Sequence, residues 1–124
     1  MTRKMGETIL ICDDDDGILE VTKLYLELEG FKVIALKNCT GFFDCLIQNR
    51  PAVVLMDIWM PGKWGDQVAR ELKSDPVLNK IPVLLFSANP DIEKVSKAAG
   101  ADGYIRKPFD LEQVKSSIDK VIVH

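Results

Sequence analysis

Asp13, Asp14, Asp15 and Asp16 follow directly on the apolar run Thr8-Ile9-Leu10-Ile11-Cys12. Carboxylates at the exit of a buried strand are costly unless something positive comes to meet them. Three more apolar runs end on chemically active groups: Ala52 to Met56 on Asp57, Ile81 to Phe86 on Ser87, and Tyr104-Ile105-Arg106 on Lys107. Acids, a hydroxyl and one amine at the ends of separate strands predict one site, built where the strands point together. Two carboxylates about 4 Å apart repel by ~4 kcal/mol at an effective dielectric near 20. Three in one place either take up protons, with raised pKa values, or bind a cation. All-oxygen ligands with room for water suit magnesium or manganese rather than zinc. No cysteine is placed to join them, and the single histidine, His124, is the final residue.

A divalent ion there would offset carboxylate charge and leave coordination positions open to phosphoryl oxygens. Asp57, the acid that stands alone on its strand, is the candidate nucleophile, since carboxylate attack on phosphorus gives an aspartyl phosphate. Lys107 adds an ammonium and Ser87 a hydroxyl that can hydrogen-bond another oxygen. Phosphoryl transfer asks a protein mainly for positioning and charge neutralisation, and this set offers both.

The elements that must hold these groups alternate strictly. Apolar runs of strand length are separated by stretches of helical period, the pattern of a parallel α/β sheet. The runs at 53–56 and 83–86 are unbroken, as strands buried on both faces are. After the first run, Ile18, Val21, Tyr25 and Leu28 recur at helical spacing and Gly30 supplies the stop. A second strand is expected from Phe31 to Leu36, then a helix over 41–48 that turns Phe43, Leu46 and Ile47 inward. Val68, Ala69 and Leu72 mark a helix over 66–73. Asn89-Pro90-Asp91 should open the next one, with a capping amide, a proline in the first turn and an acid at the positive dipole end. Asp110 caps the last helix, whose inward stripe is Leu111, Val114, Ile118, Val121 and Ile122. Five strands and five helices result, and in open sheets of this kind the ligand lies beyond the carboxyl ends of the strands.

The totals fit this reading. A chain of 124 residues is expected to be one domain, over 1–124, large enough to fold without disulfide or metal staples. An apolar share of 47% and a charged share of 28% are those of a soluble globular protein. A net charge of -3, with no basic stripe, argues against direct binding of nucleic acid. Cys12, Cys39 and Cys45 show no metal-binding spacing and read as free thiols of a reducing compartment. No apolar stretch approaches the roughly 20 residues of a membrane span, and the opening MTRKMGET is too short and polar for a signal peptide. A cytoplasmic protein is expected.

Taken together, ILICDDDD, VVLMDIWMPGKWG, PVLLFSA and GADGYIRKPF, in that order and spacing, resemble a response-regulator receiver domain across essentially the whole chain. The resemblance implies a flavodoxin-like doubly wound sheet of five parallel strands in the order 2-1-3-4-5, helices on both faces. It implies Asp57 as phosphoacceptor, with Mg2+ or Mn2+ held by Asp14, Asp13, Asp57 and the backbone carbonyl of Trp59. Ser87 falls on the switch hydroxyl, Lys107 on the phosphate-pairing lysine, and Tyr104 on the aromatic that turns inward when the hydroxyl moves. Lys107-Pro108 matches a bond that is usually cis in the family. The phosphoryl donor would be a histidine kinase or a histidine phosphotransfer protein. Phosphorylation would then alter the surface of the fourth helix, fifth strand and fifth helix, read by a downstream protein that the sequence does not identify. A stand-alone regulator and a segment of a longer chain both fit, and the last helix lacks the pattern of a dimerising one, so a monomer is expected.

Two positions depart from the family pattern. Trp64 replaces the small acid or amide usual before Gly65, and Trp59 is bulky for a position lying over the phosphoryl group. Other readings can be weighed on the same residues. An aspartyl-phosphate-forming hydrolase or phosphatase generally places a second acid two residues past the nucleophile, where this chain has Trp59. A flavin site would need a hydroxyl- and glycine-rich loop after the first strand, where Asp13 to Asp16 would repel a phosphate. An unphosphorylated receiver-like protein-binding module would have no use for the intact acids and lysine. Asp15 and Asp16 read as helix-opening acids rather than ligands. Lys94, Lys97 and Arg106 read as a solvated face.

Overall fold

The computed structural model describes residues 6–38, 40–59 and 64–122. Cys39, His124 and the Met60-Pro61-Gly62-Lys63 stretch of the second motif lie outside the described residues. Ten elements alternate along the chain: β1 (Thr8–Cys12), α1 (Asp16–Leu28), β2 (Lys32–Leu36), α2 (Phe42–Asn49), β3 (Val53–Asp57), α3 (Gly65–Ser74), β4 (Val83–Ser87), α4 (Ile92–Ala99), β5 (Gly103–Arg106) and α5 (Leu111–Val121). All strand pairs are parallel, in the order β2-β1-β3-β4-β5. The five-stranded flavodoxin-like sheet expected from the sequence is therefore observed.

Strand alternation sorts the core into two layers. Leu10, Cys12, Val54, Met56, Val83 and Leu85 face α2, α3 and α4 with Phe42, Leu46, Val68, Leu72 and Ile92. Ile9, Ile11, Val53, Leu55, Leu84 and Phe86 face α1 and α5 with Leu19, Leu26, Val114 and Ile118. Every residue of β3 and β4 is buried, which is why those two runs carry no polar alternation.

Helix phase is where the sequence reading needs correction. In α1 the buried residues are Leu19, Thr22 and Leu26, with Ile18 and Tyr25 only partly covered. Val21, Leu24 and Leu28 are exposed, Leu28 at 79%. Apolar side chains run round more than half of this helix, so periodicity alone could not choose the face. The same applies to α2, where Phe42 is the buried anchor and Ile47 is exposed. The fourth helix begins at Ile92, later than expected. Asn89 Oδ1 does accept the Asp91 N–H at 2.8 Å, but within the turn ahead of the helix. Asp110 caps α5 in a full capping box with Gln113. Among the described residues, no helix is long and apolar enough to cross a membrane.

At the opposite end of the sheet from the strand exits, Lys73 ties three elements together. Its Nζ meets Asp102 Oδ2 at 2.7 Å and donates to the carbonyls of Ile81 (2.8 Å) and Asn79 (3.1 Å). Asp102 Oδ2 also accepts the Val83 N–H at 2.8 Å, fixing where β4 starts.

Candidate functional site

Register decides which side chains can meet at the carboxyl ends. Ile11 pairs with Leu55, so Asp13, two residues on, comes beside Asp57. The Asp13 N–H still bonds to the Leu36 carbonyl at 3.0 Å, which keeps it in the ladder. Asp57 pairs with Phe86, and Phe86 with Ile105. The Lys107 N–H bonds to the Ser87 carbonyl at 3.0 Å, so the lysine lies one step beyond Ile105 on the same face. Asp13, Asp57, Phe86 and Lys107 thus form a row across the sheet on the α1/α5 side. Ser87 has the opposite parity and shares the α3/α4 side with Tyr104, whose pairing partner is Leu85.

The row is occupied as that register requires. Lys107 Nζ lies 3.1 Å from Asp13 Oδ2 and 3.6 Å from Asp57 Oδ2. Asp13 and Asp57 are buried and Asp14 is exposed, and one carboxylate oxygen from each lies within 4.8 Å of the others. Asp15 is not in that group. It caps α1, its Oδ1 accepting the Ile18 N–H, while Asp16 pairs with Lys37. Asp13 Oδ1 is steadied by the Asp15 N–H at 2.9 Å, and Asp57 Oδ1 by the Trp59 N–H at 3.4 Å.

Burial pushes the Asp57 carboxyl up from 3.8 to about 6, and the nearby Asp13 charge acts in the same direction. The Lys107 ammonium and the Trp59 N–H oppose that rise without cancelling it. A site with surplus negative charge is poised to gain a cation. The donors suit a hard divalent ion: three carboxylates, and no nitrogen or sulfur ligand grouped with them among the described residues.

Ser87 is buried, and its Oγ accepts the Asn89 N–H at 3.0 Å. Tyr104 is half-buried against the α3/α4 layer, with the Arg106 guanidinium 5.6 Å over its ring. Arg106 also donates to the Pro90 carbonyl at 3.2 Å, linking β5 to the turn before α4. The Lys107-Pro108 bond is cis. Trp59 and Trp64, both about half exposed, meet with ring centroids 4.4 Å apart and planes tilted by 58°. At the start of α3 the Gly65 N–H bonds to the Ile58 carbonyl at 2.8 Å. A Cβ on Gly65 would collide with the carbonyl oxygen of Asp57, so the approach of α3 to β3 requires glycine there. Beside Lys107 opens a groove of about 890 Å³, lined by Ile18, Val21, Pro108, Phe109 and Leu111 among others.

Sequence reasoning missed Phe86, which it treated as one more apolar strand residue. The ring faces the Lys107 ammonium, with Nζ 5.0 Å from its centroid, and Phe109 meets it in a T-shaped contact at 6.0 Å. Its position one residue before Ser87, on the strand next to Asp57, was the available signal.

Comparison with known proteins gives a family and a fold. The profile of the family described as "Response regulator receiver domain" matches residues 9–119. The chain is 30% identical over 120 residues to the phosphate regulon transcriptional regulatory protein PhoB of Pseudomonas aeruginosa, covering 95% of this chain and 52% of that protein. Against a signal receiver domain of a signal transduction histidine kinase from Syntrophus aciditrophicus, the TM-score is 0.84 at 30% identity, covering 94% of this chain and 89% of the other. The chemotaxis response regulator CheY4 of Vibrio cholerae shares the fold, with a TM-score of 0.85 at 22% identity over 95% of this chain and all 100% of the other. The chain spans about half the length of the curated relatives it matches.

Proposed function

We propose, from the premise that this chain belongs to the response regulator receiver domain family of two-component signalling, that Asp57 is its phosphoacceptor. The observation that carries the assignment is the convergence of Asp13, Asp14 and Asp57 on one point, with the Lys107 ammonium 3.1 Å and 3.6 Å from two of them. An Asp57 carboxylate oxygen attacks phosphorus of the donor's phosphohistidine. The new O–P bond forms as the P–N bond breaks, and the electron pair leaves with the imidazole nitrogen. Lys107 pairs with a phosphoryl oxygen, whose negative charge takes the place of the carboxylate charge that acyl phosphate formation removes from Asp57.

Receiver domains generally bind Mg2+ through an acidic pocket, and the donor set here fits one. Asp13, Asp14, Asp57 and the Trp59 carbonyl are the proposed ligands, and Mn2+ would suit the same oxygens. When bound, such an ion neutralises phosphoryl charge. The Ser87 hydroxyl then turns from the Asn89 N–H toward the phosphoryl group, and Tyr104 follows into the space behind it. The expected readout is a changed surface on α4, β5 and α5, a population shift driven by contacts that exist only in the phosphorylated state.

The donor is a histidine kinase or a histidine phosphotransfer protein, and the apolar groove beside Lys107 lies where that protein would bear on the site. The chain acts as a switch that assists its own phosphorylation and dephosphorylation, not as a turnover enzyme. It works as a cytoplasmic monomer with no membrane or nucleic-acid contact of its own. Trp59 and Trp64 screen the acyl phosphate from water. Incubation with acetyl phosphate and Mg2+ should add one phosphoryl group to the intact mass, and Asp57→Asn should add none. Phosphorylation of the Asn variant would overturn the assignment. Steady release of phosphate from a monoester would favour the hydrolase instead.

A further inference from the structure

Among the described residues Lys107 has three attractive neighbours, and only two are carboxylates. The third is the face of Phe86, whose ring centroid lies 5.0 Å from Nζ. Register puts this ring between Asp57 and Lys107 in the row across the sheet, and its 2% exposure leaves it little freedom to turn away. Phe109, in the segment just after Lys107, meets the ring at an interplanar angle of 88°, an arrangement favoured by the aromatic quadrupole. A cation over a shielded aromatic face is held by that same quadrupole.

We infer that Phe86 is a positioning residue for phosphoryl capture: its ring, braced by Phe109, seats the Lys107 ammonium where an incoming phosphoryl oxygen must find it. The carboxylates cannot hold the lysine alone through the reaction. Attack on phosphorus draws the Asp57 carboxylate into an acyl phosphate, and a bound cation would share the charge of Asp13. The ring's attraction changes in neither event, so it holds the ammonium beside Asp57 until the phosphoryl oxygens become its anionic partners. This rests on the proposal that Lys107 pairs with the phosphoryl group.

The test compares wild type, Phe86→Leu, Lys107→Met and the double variant, using acetyl phosphate with Mg2+ as donor. Phe86→Leu should be phosphorylated roughly 3- to 10-fold more slowly, the range a partly shielded cation–π contact supports. It should add no further loss in the Lys107→Met background. In proton NMR of the metal-free protein, the Lys107 ε-methylene resonances should lie upfield from the ring current and move downfield in Phe86→Leu. An unchanged rate, or an equal loss in both backgrounds, overturns the inference, as does a methylene shift that ignores the substitution. If Phe86→Leu does not fold, fluorinated phenylalanines placed at 86 weaken the ring quadrupole at nearly constant shape. Rates falling stepwise with fluorine count uphold the role, and flat rates overturn it. Failure of wild type to be phosphorylated at all would count against the phosphoacceptor assignment, which Phe86→Leu does not touch.

Discussion

Asp57→Asn should make the metal-free protein more stable at neutral pH, and the gain should switch on over a defined pH range. Burial is the main reason the Asp57 carboxyl is raised from 3.8 to about 6, with the Asp13 charge second. At 1.36 kcal/mol per pH unit, that rise corresponds to about 3 kcal/mol of native-state penalty once the group is ionised. Asparagine keeps the shape without the charge, so it should recover up to that amount, about 10 °C in Tm for a domain of this size. Below about pH 4 the group is neutral in both native and unfolded chains, and the two proteins should differ little. Between about pH 4 and pH 6 the unfolded chain ionises first, so wild type loses stability as pH rises. Above about pH 6 both states are ionised and the gap should stay constant. Urea unfolding in chelator across that range measures the difference directly. Mg2+ should close the gap, since an ion at 100 times its Kd stabilises the form that binds it by about 2.7 kcal/mol. A gap that is flat from about pH 4 to pH 7, or an Asn variant that is weaker at neutral pH, would refute the electrostatic account.

Four further outcomes are expected. Gly65→Ala should cost about 3 kcal/mol or more in chemical unfolding, because the new methyl meets the Asp57 carbonyl and α3 must retreat. Lys73→Met should cost about 1–3 kcal/mol by the same measurement, since it strands the Ile81 and Asn79 carbonyls and one side of Asp102. Trp59→Asn should shorten the lifetime of the acyl phosphate, followed by loss of the phosphoryl mass after donor removal, and an unchanged lifetime rules the shielding out. Tryptophan fluorescence should change on adding Mg2+ and again on adding acetyl phosphate, with the second change absent in Asp57→Asn.

The strands and their chemical ends could be read from the sequence because burial on both faces leaves an unbroken apolar run and a polar or charged side chain breaks it visibly. Asp13, Asp57, Ser87 and Lys107 were all found in that way. Asp14 was legible only with its neighbours, because an exposed acid after a strand is ordinarily a turn residue. Helix phase was not legible in α1, where Val21 and Leu28 have the same spacing as buried residues but lie on the outer side. What chooses the face is the docking of Leu19, Thr22 and Leu26 onto the sheet, a tertiary fact. Phe86 stayed hidden for a related reason. An aromatic ring in a buried strand looks like packing until register shows that a cation sits over it.

Neighbouring residues of β4 serve different masters. Phe86 looks toward α1 and α5 with the groups that would take the phosphoryl, while Ser87 looks toward α3 and α4 with Tyr104. In the proposed switch, a signal written on one side of the sheet would be read on the other through Ser87, one peptide unit from Phe86. Capture chemistry and output surface could then be revised separately, so that one trigger could be wired to many listeners.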